Sequence, residues 1–171
     1  MKVSSKILVF TAIATFSNSA FAGIKWVDVG VNGLTCSMCT RSVEMSISRL
    51  QFVDSVVMSL EQAEGRVYLK EGAEINLKKI ADAVVNAGFS VRFLKAEFNF
   101  DDLTIDDNGF FTYQGQSYQW LQFGGSAKGE ISLKLVDADF LPRKESGQWK
   151  KKIELSKNQS GKDILHVVRE I

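Results

Sequence analysis

Between Ile24 and Phe98 the spacing of apolar residues switches back and forth between the two periods a backbone can adopt. The order of those switches constrains the fold more than any other feature of the sequence. IKWVDVGV (24–31) alternates as a strand, with Ile24, Trp26 or Val27, and Val29 available to one face. Gly33 breaks it. From Cys39 onward the apolar residues fall at Val43, Ile47 and Leu50, one face of a helix. FVDSVVMSL (52–60) is β-branched, EQAEG turns the chain, and RVYLK (66–70) reads as the second arm of a hairpin. Asn76 is placed to cap a second helix with the stripe Leu77, Ile80, Val84 and the small packing residues Ala81 and Ala87; Gly88 ends it. FSVRFLKAEF (89–98) closes the series as a strand.

The order β-α-β-β-α-β over residues 23–96 predicts a ferredoxin-like α+β domain, with two helices on one face of a four-stranded antiparallel sheet. Beyond Ala96 helical periodicity disappears. Turn signals recur at DDNG (106–109), QGQ (114–116), GGSAKG (124–129), ESGQ (145–148) and NQSGK (158–162). The alternating runs between them, WKKKIELS among these, predict a second, small all-β antiparallel barrel or sandwich domain over residues 97–171. The boundary falls between Lys95 and Asp101. The aromatics of FFTY (110–113) and YQWLQF (118–123) are expected in its core, and His166 as a surface or satisfied strand residue.

Residues 1–22 read as a cleavable export signal. Lys2 and Lys6 form a positive start, ILVFTAIATF (7–16) an apolar core, and Ala20-Phe21-Ala22 the small residues of a cleavage site. The apolar run is shorter than the roughly 20 residues that span a bilayer, so the mature chain is expected to start at Gly23, periplasmic or secreted, without stable membrane insertion. Cleavage removes two lysines and no acids, taking the formal charge from +1 to −1. A total so near neutral carries no electrostatic footprint for nucleic acid or anionic lipid.

The chain has two cysteines, Cys36 and Cys39, and three chemistries compete for them: a structural disulfide, a redox dithiol, or a seat for a soft metal ion. A disulfide closing so short a loop adds little by chain entropy. Cys39 falls in the first turn of the first helix and Cys36 in the loop before it. Unpaired N–H groups and the positive end of the helix dipole lower thiol pKa values there. Soft sulfur favours Cu(I). Zinc takes four ligands, and His166, the one histidine, lies in the other predicted domain. A C-x-x-C pair at a helix N-terminus also suits thiol–disulfide exchange. No Ser-His-Asp set, catalytic carboxylate pair or phosphate-cradling loop is visible, so no enzymatic activity is expected.

GLTCSMC (33–39), set between first strand and first helix, resembles the GMTCxxC signature of heavy-metal-associated domains. The first-helix pattern in CTRSVEMSISRL and the Ala-Gly-Phe of NAGF (86–89) extend the resemblance across residues 24–96. It implies Cys36 and Cys39 as metal ligands, Cu(I) as the expected cargo, and Hg(II), Ag(I) or Cd(II) as alternatives. It also implies supporting positions. Gly33 supplies backbone punctuation, Leu34 packs under the loop, Thr35 belongs to the motif, Met38 points outward between the cysteines, and Phe89 shields the site. Pro142, the one proline, lies far from the dithiol, whereas thioredoxin-like enzymes place a cis-proline opposite theirs. The expected function is an exported metallochaperone or scavenger that hands its ion by ligand exchange to a metal-transporting membrane protein or a recipient cuproprotein. A periplasmic thiol–disulfide redox protein or an Hg(II) scavenger is the alternative.

Overall fold

The computed structural model describes residues 23–123, 125–157 and 164–169; the export signal expected over residues 1–22 lies outside the described residues. Six elements realise the predicted order: β1 (Ile24–Asn32), α1 (Ser37–Ser48), β2 (Val53–Ser59), β3 (Glu64–Leu69), α2 (Leu77–Asn86) and β4 (Ser90–Ile105). β1 sits between β3 and β4, antiparallel to both. Helix α1 buries Thr40, Val43 and Ile47, and α2 buries Leu77, Ile80, Ala81, Ala83 and Val84. The Asn76 side chain accepts a hydrogen bond from the Lys79 N–H at 3.2 Å, satisfying a donor that the first turn leaves unpaired. Gly88, at φ +90°, takes the left-handed conformation that ends a helix without a Cβ penalty.

The open choice in β1 is resolved in favour of Val27, which is fully buried. The β1–β4 register shifts between Ile24 and Val27, so a bulge returns the strand to its inward phase after three residues instead of two. Trp26 then faces the opposite side, where the Arg66 guanidinium lies 5.0 Å from its ring centroid and also holds Asp28 at 2.7 Å.

Residues beyond Ala96 take a different form from an all-β barrel or sandwich. β4 runs on without a break to Ile105, and β5 (Phe110–Tyr113), β6 (Gln116–Trp120), β7 (Gly125–Leu135) and β8 (Ile164–Arg169) extend the same sheet. Its eight strands run in the order β2-β3-β1-β4-β7-β8-β6-β5, and β6 pairs with β8 in parallel. Although β5 lies at the far edge, its Phe111 and Tyr113 reach back to Phe98 and Phe100 of β4, with ring centroids between 5.2 and 6.4 Å apart. The sheet therefore curls over itself and buries the aromatic runs as expected. The Tyr113 hydroxyl donates to the Asn99 carbonyl at 2.7 Å, and burial raises its pKa to about 12. One continuous core joins Val43 and Ile47 beneath α1 to Phe98, Phe111 and Tyr118.

The strand expected at WKKKIELS is instead part of helix α3 (Arg143–Lys157). Pro142 stands at its entrance, its carbonyl accepting from the Glu145 and Ser146 N–H groups, and Glu145 lies in the first turn. Trp149 and Ile153 share a face at i, i+4 spacing and pack with Phe93, Leu121, Val136 and Val168. Phe93 alternates with the core residue Leu94 on β4, so α3 covers the sheet face opposite α1 and α2. His166 is buried: Asp137 accepts hydrogen bonds from its backbone N–H and pairs with its Nδ1, both at 2.7 Å.

Because a single core spans both halves, Phe98→Ala is expected to destabilise the whole chain by about 3–5 kcal/mol. Urea titration followed by far-UV circular dichroism and by tryptophan fluorescence should give coincident midpoints, lowered together in the variant. Separate midpoints would show that the two halves fold independently.

Candidate metal centre

The connection from β1 to α1 turns at Gly33, whose φ of +89° is sterically open to glycine and unfavourable for side chains bearing a Cβ. Leu34 points down and is 8% exposed, anchoring the loop in the core. The chain then rises so that Thr35 and Cys36 are exposed. Cys36 is the N-cap of α1, in an extended conformation (φ −151°, ψ 160°). Its sulfur accepts a hydrogen bond from the Cys39 N–H at 3.3 Å. In an ordinary helix a serine, threonine or aspartate oxygen would occupy that place. Both cysteines are free; Cys36 is exposed and Cys39 half-buried against the core.

Cys39 is held below the ordinary thiol pKa. The hydrogen bond from the Cys36 side chain contributes most, and the backbone and side chain of Thr35 with the backbone of Cys36 add to it; partial burial opposes them. The direction agrees with that expected at a helix N-terminus, and hydrogen bonds within the loop produce it. Thr35 thus has a physical role in the loop, helping to hold the Cys39 pKa down.

Met38, between the cysteines, is 74% exposed and points outward. Phe89, the residue after Gly88, packs against the core with its ring edge 3.7 Å from where a Cβ on Gly33 would sit. It flanks the turn into the cysteine loop. Among the described residues no three His, Cys, Asp or Glu side chains gather in one place, so the loop offers two sulfur donors.

Thr40 escaped sequence reasoning. It is 8% exposed, and both its N–H and its hydroxyl donate to the Cys36 carbonyl at 3.1 Å. Two bonds to one carbonyl fix the cap and so the direction of the Cys36 side chain. The available signal was a hydroxyl four residues after the N-cap, within reach of its carbonyl.

The class these features define is a ferredoxin-like domain with paired thiols where the chain enters its first helix. Sequence comparison narrows it. The heavy-metal-associated domain model matches residues 28–90. The chain is 30% identical over 84 residues to the mercuric transport protein periplasmic component of Serratia marcescens, across 49% of this chain and 91% of that protein. It is 36% identical over 62 residues to copper chaperone CopZ of Bacillus subtilis (strain 168), across 36% of this chain and 87% of that one. Among solved structures, oxidized MerP from Ralstonia metallidurans CH34 aligns at 28% identity over 40% of this chain and 94% of its own, with a TM-score of 0.37. The chain belongs to the heavy-metal-associated domain family, and the matched segment is its β1–α2 portion with the start of β4.

Removing the strongest contribution to the lowered thiol should be measurable. In Cys36→Ala the pH midpoint for alkylation of Cys39 by iodoacetamide is expected to rise. In Thr35→Val it should rise by less, because Thr35 supplies the smaller contributions. An unchanged midpoint in both variants would contradict the stated causes.

Proposed function

We propose that the protein is a non-enzymatic carrier that holds one soft metal ion between the Cys36 and Cys39 sulfurs and passes it on by ligand exchange. The observation that carries this reading is the pairing of two free thiols at an exposed helix cap, where Cys39 is held toward its thiolate form. Binding displaces thiol protons, and a thiol already lowered in pKa gives up its proton with less free energy. Two thiolates complete the coordination of Cu(I) and leave Zn(II) half-coordinated. An incoming partner thiolate can add to the two-coordinate ion, after which one resident sulfur departs; no electron changes hands. Exposure of Cys36 gives that partner access, while Gly33, Leu34 and Thr40 keep the loop in shape.

Cu(I) is the assigned cargo. Hg(II) is the second reading, supported by the similarity to mercuric transport proteins along nine-tenths of their length. The export reading of residues 1–22 puts the carrier in a periplasm or outside the cell. Its recipient is then a metal-transporting membrane protein or a cuproprotein. The copper chaperone similarity and a 35% identical stretch in the cation-transporting ATPase HMA5 of Oryza sativa subsp. japonica support that kind of partner.

Anaerobic titration of the reduced chain (23–171) with Cu(I) and with Hg(II), each against a competing chelator, tests the assignment. One ion per chain is expected, with affinity falling in Cys36→Ser and in Cys39→Ser by more than the roughly 10–100-fold that a supporting residue costs. Retained affinity in either variant would remove that cysteine from the site. Rapid turnover of disulfide substrates by the reduced chain would favour thiol–disulfide exchange instead.

A further inference from the structure

Helix α3 concentrates positive charge that the chain-wide total conceals. Between Arg143 and Glu154 five cationic side chains stand against two acids, in a chain of formal charge +1 overall. The fold sorts them. Trp149 and Ile153 face the sheet, so Lys144, Gln148 and Lys151, at i, i+4 and i+7, occupy the outward face. Lys152 flanks them on one side, while Arg143 and Lys150 lie on the other and line the cavity that α3 forms with the start of α2, Asp137 and Asp139; all six side chains are exposed. The two acids lie at the margins: Glu145 turns to Lys134 at 3.5 Å and Glu154 to Lys150 at 4.0 Å. Among the described residues Arg143, Lys144 and Lys151 have no carboxylate within ion-pair distance, and Lys152 rests its ammonium 5.0 Å from the centroid of the Trp149 ring.

We propose that this face of α3 docks the protein electrostatically on an anionic phospholipid surface. Two features favour a bilayer over a protein partner. Protein interfaces are depleted in lysine and centre on buried aromatic or arginine anchors. This face is lysine-rich, and none of the exposed large hydrophobic residues among those described lies on it. Adsorption to an anionic bilayer needs only a cluster of point charges held within a Debye length of the headgroups. The docking is peripheral, because no described helix is long and apolar enough to cross a membrane. It is independent of the metal reading: none of these residues touches Cys36 or Cys39.

Co-sedimentation of the chain (23–171) with phosphatidylcholine vesicles, with and without phosphatidylglycerol, tests the proposal. Binding is expected only to the phosphatidylglycerol vesicles, weakening steeply as salt is raised. In the triple variant Lys144→Gln, Lys151→Gln, Lys152→Gln the partition coefficient should fall by roughly 100-fold, the loss expected for three lysines near the surface. A double variant Lys25→Gln, Lys128→Gln, away from α3, should retain it, and circular dichroism checks that each variant is folded. Equal binding to both vesicle types, no binding at low salt, or undiminished binding by the folded triple variant would overturn the proposal. So would binding to soluble polyglutamate without binding to phosphatidylglycerol vesicles, which would assign the face to an acidic protein segment.

Discussion

Phe98 and Phe100 stand on the same face of β4 as Leu94 and Ala96, and from that alternation the rest of the architecture follows. The first half of the strand seals the layer under α1 and α2, pairing Leu94 and Ala96 with Val29 and Val27 of the central strand. The second half offers two rings that the far edge of the sheet must curl back to cover. Edge-to-face and stacked pairs each contribute about 0.5–1.5 kcal/mol beyond the area they bury, and Phe98 alone meets Phe100, Phe111, Tyr113 and Tyr118. The parts of the chain before and after Ala96 thus share one core along one strand.

That shared strand also begins beside the cysteine loop. Gly88 ends α2, Phe89 stands against the Gly33 turn, and β4 starts at Ser90. The loop is consequently held on three sides: by Leu34 beneath, by Phe89 beside it, and by the Thr40 bonds to the Cys36 carbonyl at the helix cap. Thr35, Cys36, Ser37 and Met38 are exposed, and Cys39 is half-buried. An anchored loop with one exposed and one half-buried thiol is the arrangement on which the proposed ligand exchange rests.

Much of this was legible in the sequence. The six elements of the first half appear in the order their periodicities dictate, and the cap, the helix end and the cysteine loop lie where Asn76, Gly88 and GLTCSMC put them. What failed did so for identifiable reasons. Trp26 and Val27 were indistinguishable because a bulge changes the phase of a strand without changing its composition. WKKKIELS fits a strand as well as a helix because its three large apolar residues, Trp149, Ile153 and Leu155, are spaced by four and by two; the helix signal lies upstream, in Pro142 and Glu145. The expected separate barrel failed because turn signals count strands without saying which strands pair.

The sequence by itself determined the local chemistry: two sulfurs three residues apart, a glycine where the backbone turns positive, apolar stripes of known period, and the family these make recognisable. Those properties depend on neighbours within a turn or a strand, and adjacent residues encode them directly. Tertiary structure alone decided that β4 would serve both halves, that the far hairpin would fold back onto Phe98, and that Trp149 and Ile153 would meet Phe93 and Val168. Each of these depends on contacts between residues far apart in the chain, where shape and burial choose among pairings that local pattern leaves equal.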